Sequence, residues 1–152
     1  DGVTDDTLAF QNACTNVGAN IAVPYRASGY LITNVFVTNG VTLFGAGGQS
    51  KLIFRPGATS AMLNCGTNNS GITIRNLELN GTNDASSFIS VVASGNRIGV
   101  RMSGYGNNNK LMNLYVRGFD NVGAFISGTN ASANSVVLNS NNVSTTTLAN
   151  FI

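Results

Sequence analysis

Histidine is absent from this chain, and so is tryptophan. Without histidine there is no Ser-His-Asp triad, no His-ligated zinc and no imidazole base working near neutral pH. Charge is scarce as well. Asp, Glu, Lys and Arg make up 9% of the residues, against about 25% in an average globular domain. The net charge of +2 is small, and the basic residues are scattered singly. That excludes the electrostatic footprint of a nucleic-acid binder. No apolar run approaches the ~18 residues of a membrane span, so neither nucleic acid nor membrane is expected as a partner. The first residue is Asp1 and no leader is visible, which reads as a chain cut from something longer. The two cysteines, Cys14 and Cys65, fall in a predicted helix and a predicted strand. They are expected to be buried free thiols rather than a disulfide, since free Cys packs as a small hydrophobe.

What remains is apolar and turn-rich. Hydrophobic residues are 43%, and there are 18 glycines with asparagine throughout. That suits a core whose turns are made by Gly and Asn, and it lacks the composition of disorder. At 152 residues the chain is at most one domain, or part of one.

The opening "DGVTDDTLAFQNAC" predicts one short helix. Thr4, Asp5 or Asp6 can cap it, and the acidic pair suits the positive helix N-terminus. Phe10, Ala13, Cys14 and Val17 then form an apolar stripe, and Gly18 stops it. So short a helix must dock to be stable. From Ile21 the period changes to that of strands: "NIAVP", "GYLITNVFVTNG", "VTLFGAGG", "KLIFRPG", "AMLNCG", "ITIRNLELNG", "IGVRM", "KLMNLYVRGF", "GAFI" and "SVVLNS". Each is fenced by Gly, Asn, Ser or Pro. No second helix is predicted, and the short runs exclude helical βαβ crossovers.

Two segments look like copies. "IRNLELNG" (74–81) aligns with "LMNLYVRG" (111–118), at a separation of 37 residues between Asn76 and Asn113. Such self-similarity is the mark of a solenoid. Within one copy Ile74, Leu77 and Leu79 point inward, and Arg75 and Glu78 point outward. Asn76 sits at a corner, where it tolerates left-handed backbone and can stack on its counterpart in an amide ladder. A β-sandwich is the alternative, but it leaves the opening helix without a role.

Taken in order, "DGVTDDTLAFQNAC", "IAVP", "GYLITN", "VTLFGAGGQSKLIF" and "GITIRNLELNG" resemble the N-terminal part of the pectate-lyase-like superfamily, closest to bacteriophage tailspikes and polysaccharide depolymerases. The resemblance runs from Asp1 to about Gly118. It implies an all-β fold: a right-handed single-stranded parallel β-helix with a short N-terminal capping α-helix. Residues 1–18 would be the turn and cap and 19–152 the first coils, the domain continuing past an uncapped tail at Leu148, Phe151 and Ile152. It also implies a homotrimer in a virion tail, or a secreted protein. The partner would be a bacterial surface polysaccharide, capsule or O-antigen. Cleavage would be by an endo-glycosidase or a lyase. The alternatives are an adhesin that binds without cutting and a trimeric stem with any active site downstream. No cofactor is expected, calcium being the one metal the lyase branch would bring.

No family motif carries a catalytic residue onto this sequence. The candidates come from residue type and position. Glu78, Asp84 and Asp120 are the acids that could act on a glycosidic bond, for which two carboxylates roughly 5–10 Å apart are needed. Their bland readings are a solvated Glu near Arg75 and Asp-made turns. Asp1, Asp5 and Asp6 read as turn and cap. Arg75, Tyr105, Tyr115, Arg117 and Phe119 are the candidate substrate-binding residues, the aromatics by stacking on sugar rings. Tyr115 takes the slot corresponding to Glu78, where it would equally pack on a neighbouring subunit. "GAGG" (45–48) lacks the Lys-Ser/Thr and helix of a phosphate loop. The sequons at Asn68, Asn130 and Asn142 are what so Asn-rich a chain produces by chance.

Overall fold

The structure is a computed structural model. It describes residues 3–58, 60–81, 97–103, 106–119, 122–127, 136–139 and 142–144. Among them are one helix, α1 (Thr7–Cys14), and strands β1 (Asn20–Ala22), β2 (Tyr30–Ile32), β3 (Val35–Phe36), β4 (Thr42–Phe54), β5 (Ala61–Thr67), β6 (Thr73–Asn80), β7 (Ile98–Ser103), β8 (Asn109–Met112), β9 (Tyr115–Arg117), β10 (Val122–Ser127), β11 (Val136–Asn139) and β12 (Asn142–Ser144). Leu148, Phe151 and Ile152 of the tail lie outside the described residues.

The strands gather into two sheets, and every pairing is parallel. The larger sheet has eight strands and runs β1-β4-β6-β8-β11, with β2 also on β4, and β9 bridging β6 and β12. The smaller sheet has four, in the order β10-β7-β5-β3. This corrects the fold expected above. The described residues form a mostly β architecture of two parallel sheets and one short helix, not a regular right-handed β-helix. No uniform period carries them. Stacked positions are 31 residues apart between Asn39 and Ser70 but 37 apart between Asn76 and Asn113. β4 is 13 residues long where β1 is three. The register of β4 on β6 breaks on both sides of Gly47.

The core lies behind both sheets. In the larger sheet, Leu43, Ile74 and Leu111 occupy one row of the register, and Leu52, Leu79 and Val116 another. In the smaller sheet, Val35, Leu63 and Val100 make a third. All nine are buried. β-branched and leucine side chains suit this stacking, and each fully buried one contributes about 1.5–3 kcal/mol. The turns are made by left-handed residues placed one above another. Gly18, Gly40 and Gly71 have φ of +72°, +70° and +69°, and at the next step Asn108 has φ +58°. Gly18 donates to the Asn39 carbonyl at 2.9 Å, Gly40 to Ser70 at 2.8 Å and Gly71 to Asn107 at 2.8 Å. A Cβ on Gly40 would lie 3.2 Å from the Gly18 Cα, so the stacking itself requires glycine there.

Helix α1 closes strand edges. Gln11 grips the β3 backbone with both ends of its amide: Nε2 donates to the Phe36 carbonyl at 3.2 Å and Oε1 accepts from the Phe36 N–H at 2.8 Å. The Cys14 carbonyl accepts from the Thr38 N–H and hydroxyl at 3.2 and 3.0 Å. On β2, the Asp6 N–H donates to the Leu31 carbonyl at 2.8 Å, and Thr7 Oγ1 accepts from the Thr33 N–H at 3.0 Å. Edge groups that would otherwise template another strand are thereby satisfied. Phe10 and Cys14 face the core, as the sequence indicates. Val17 does not. The helix ends at Cys14, so the spacing that put Val17 on the stripe no longer applies, and Val17 is 75% exposed. Asp6 is the N-cap by position, but Asp5 does the capping: its Oδ1 accepts from the Thr7 N–H at 2.9 Å.

Both cysteines are free and buried. Burial pushes the Cys14 thiol up to about 11, and burial raises Cys65 further still. Neither is a reactive thiolate at neutral pH. Both are expected to resist iodoacetamide in the folded protein and to react once denaturant is added. Labelling of either one under native conditions would refute their burial. A second expectation concerns Asp5, whose carboxyl is held below its ordinary 3.8 by hydrogen bonds from Thr7, with the Arg55 guanidinium adding to this. A lowered folded value means that its stabilisation is complete above the unfolded value and fades as pH falls through the folded one. Asp5→Asn should therefore lower the melting temperature at pH 7, and the gap to wild type should narrow as pH falls below the ordinary carboxylate range. A gap that stays constant down to pH 2 would rule out that linkage.

Candidate functional site

The outer face of the eight-stranded sheet is where the sequence-predicted binding residues meet. Register decides this. Lys51 on β4, Glu78 on β6 and Tyr115 on β9 form one row across the strands; Ile53, Asn80 and Arg117 form the next outward row. On the other side of the Asn76 corner, Phe44, Arg75 and Met112 make a third row, and Thr42, Thr73 and Lys110 a fourth. The corner itself is the amide pair the sequence suggests. Asn76 and Asn113 have φ of +55° and +50°, and Asn113 Nδ2 donates to Asn76 Oδ1 at 3.2 Å.

Glu78 is at the centre. It points outward by strand phase, between the fully buried Leu77 and Leu79, yet is itself only 6% exposed. Its neighbours cover it. Arg117 donates from Nε and Nη2 to Oε1, at 3.0 and 2.8 Å, and Lys51 Nζ lies 4.0 Å from Oε2. The expectation of a solvated Glu beside Arg75 is therefore corrected: its partners are Arg117 and Lys51. Arg75 packs instead over the Phe44 ring, 5.1 Å from its centroid, and Arg117 lies 5.9 Å from that of Tyr115. Tyr115 does take the position opposite Glu78. The sheet thus carries Lys51 and Arg117 at the Glu78 carboxylate, and Arg75 and Lys110 across the Asn76 corner, with the rings of Tyr115 and Phe44 among them.

Phe119 is not part of it. It is 2% exposed and packs in the core against Phe54, with centroids 6.0 Å apart. The chain leaves β9 at Gly118, a left-handed glycine (φ +69°), so the outward alternation of Tyr115 and Arg117 does not reach residue 119. Asp1, Asp84, Tyr105 and Asp120 lie outside the described residues. The other described acids, Asp5 and Asp6, pair with Arg55 and Arg26 at the cap. Among the described residues no group of three His, Cys, Asp or Glu gathers to hold a cation.

The "GAGG" stretch is a bulged part of β4. A Cβ on Gly45 would lie 2.4 Å from the Ser50 Cβ and 2.7 Å from the Asn76 carbonyl oxygen. Ser50, fully buried, accepts from the Ala46 N–H at 2.9 Å and donates to the Val23 carbonyl at 2.7 Å. Close packing at a corner explains these glycines, and no anion need be invoked. The bulge also explains why sequence reasoning missed Lys51. Which residue of β4 stands beside Glu78 depends on how many residues the bulge absorbs.

Glu78→Gln keeps the shape and removes the charge, leaving two cations facing an amide. Breaking a fully buried pair costs about 3–5 kcal/mol. The cations here are partly exposed, so about 1–2 kcal/mol is expected, read from urea denaturation. Adding Arg117→Gln should recover part of the loss. Unchanged stability in the single variant would show that the pair holds nothing together.

No helix of the described residues is long and apolar enough to cross a membrane. No family model and no curated protein matches the chain. Among solved structures, ORF18 of Geobacillus virus E2 is similar in fold, with a TM-score of 0.66 and 19% sequence identity over 94% of this chain and 33% of that one. The chain spans about a third of the length of that phage protein, and the likeness is one of fold.

Proposed function

We propose that this chain belongs to a bacteriophage protein that recognises an acidic bacterial surface polysaccharide, capsule or O-antigen, along the outer face of its eight-stranded sheet. One observation carries the reading. A chain with a net charge of only +2 places four of its eight cations on outward rows of one sheet, Lys51 in the row of Tyr115, Arg117 in the next, and Arg75 and Lys110 across the Asn76 corner, Arg75 in the row of Phe44. Cations beside aromatic surfaces suit a carboxylated sugar chain: guanidinium groups pair with carboxylates in planar, bidentate fashion, and sugar C–H faces lie on rings. Arg75, Tyr115 and Arg117 are the contact residues in this reading. Glu78 is a positioning residue that orients Arg117 and Lys51. Fold likeness to a phage protein supports the setting.

Cleavage of the polymer is the second reading, favoured by the carboxylate of Glu78 set directly beneath these cations. Binding and cleavage separate cleanly in solution. The protein is mixed with purified capsular and O-antigen polysaccharides, acidic and neutral. Acidic polymers should be retained, less so as salt rises. Arg75→Ala and Arg117→Ala should each weaken retention about tenfold, the loss of one charge-assisted hydrogen bond. New reducing ends would add hydrolysis, and new unsaturated-uronate absorbance would add elimination. Equal retention of neutral and acidic polymers, or variants that bind like wild type, would overturn the proposal.

A further inference from the structure

The four-stranded sheet has an outer face of its own, and one row of its register crosses all four strands. Phe36 on β3 pairs with Asn64 on β5, Asn64 with Arg101 on β7, and Arg101 with Phe125 on β10. The inner neighbours fix the direction of these side chains. Val35 and Val37, Leu63 and Cys65, and Val100 and Met102 are all buried. Phe36, Asn64 and Arg101, between them, therefore point away from the core, and on β10 it is Ala124 that packs on the core, while the Phe125 ring packs against Ala61 and Ile98. Phe36 is 47% exposed. Three strand spacings of about 4.8 Å make the row ~14 Å long, the span of a short oligosaccharide.

Each member of the row is held ready. Gln11 fixes the Phe36 backbone from both sides, so the ring stands on a rigid edge strand. Asn64 spends its Oδ1 on the Gly66 N–H at 3.0 Å, which sets the plane of the amide and leaves its nitrogen as a donor. Arg101 lies 5.9 Å from the Phe125 centroid, and its Nε is buried without a hydrogen-bond partner among the described residues. Ser103, the next outward position on β7, is small and half-buried. The result is a one-residue-wide row of ring, amide, guanidinium and ring. A protein partner needs a broad apolar patch. A sugar chain needs rings to stack on and planar donors between them.

We infer that Phe36, Asn64, Arg101 and Phe125 form a second carbohydrate-contact row, for a carboxylated oligosaccharide whose acid group meets Arg101 while its outer sugars lie on the two rings. The inference rests on the glycan reading above for its ligand class but shares no residue with that site. The test is an NMR titration of the protein with tetragalacturonate, with maltotetraose as the uncharged control. The Phe36 and Phe125 ring signals and the Arg101 Nε–H should shift saturably with the acid alone. Phe36→Ala and Arg101→Gln, both of partly exposed side chains, should each weaken that response about tenfold. Arg75→Ala, which alters the first site without touching the Glu78 pair, should leave it intact. Shifts confined to Tyr115 and Arg117 would overturn the second row and leave the first proposal standing. Shifts at Phe36 and Phe125 alone would support the second row while the first proposal fails. Equal shifts with maltotetraose would overturn the acidic ligand class. Signals that move only with protein concentration would make the row a contact between copies, and would overturn it as a ligand site.

Discussion

Parallel strands that follow one another in a sheet impose a constraint that hairpins do not. After each strand the chain must leave, travel away and return at the same height, so that its backbone groups meet their partners in register. Among the described residues no helix makes the return. Chain alternates between the two sheets instead, and tight left-handed corners do the steering. Gly18, Gly40, Gly71 and Asn108 occupy equivalent turns, each of the first three donating to the turn of the next segment. Asn76 and Asn113 do the same in mid-sheet, with side chains bonded to each other. A corner that slipped by one residue would turn every following side chain to the other face. The buried rows Leu43–Ile74–Leu111 and Leu52–Leu79–Val116 exist because those corners do not slip.

The same register builds the surface. Whatever stands outward on one strand stands beside whatever is outward on the next, at a spacing that brings side chains into contact. Glu78 shows the effect on a charge. On an isolated strand it would be solvated. Between Lys51 and Tyr115, with Arg117 reaching across from the adjoining row, it loses nearly all its exposure. Burying that carboxylate is tolerable only because the neighbouring strands bring cations to it. The strand order therefore explains the ion pair, and the ion pair in turn holds Arg117 and Lys51 at fixed places on the face.

Much of this was visible in the residues themselves. The Gly/Asn-fenced runs located nearly every strand, and the "IRNLELNG" and "LMNLYVRG" pair correctly put Asn76 and Asn113 at corresponding corners and Tyr115 opposite Glu78. What failed did so for long-range reasons. "VTLFGAGG" and "KLIF" read as two strands, because glycines usually interrupt; the bulge lets β4 run on through them. Conversely "KLMNLYVRG" divides at Asn113 into β8 and β9. The regular coil that the family resemblance implies needs a steady repeat, which the unequal lengths here do not keep. Val17 and Phe119 were misplaced because periodicity was carried past the point where the backbone changed course. Glu78 looked solvated because its two covering cations are 27 and 39 residues away in sequence (Lys51 and Arg117).

The scarcity of charge ties these features together. Five of the six arginines lie over an aromatic ring: Arg26 on Tyr30, Arg75 on Phe44, Arg97 on Phe54, Arg101 on Phe125 and Arg117 on Tyr115. Significant pairs of this kind occur roughly once per 70–80 residues, so about two would be ordinary in a chain of this length. With six acidic residues in the whole chain, carboxylates are too few to orient every cation. Arg26 and Arg117 have both a ring and a carboxylate, and Arg97 a ring and the Gly81 carbonyl; at Arg75 and Arg101 the ring does the orienting. A ring contributes only about 0.5–1 kcal/mol at an exposed site, enough to fix direction without claiming the charge. Arg75 and Arg101, one on each sheet, are held in this way and lie on faces whose neighbours are hydroxyls, amides and rings. The fold thus holds its cations in two ways, Arg117 and Lys51 by the Glu78 carboxylate and Arg75 and Arg101 by rings.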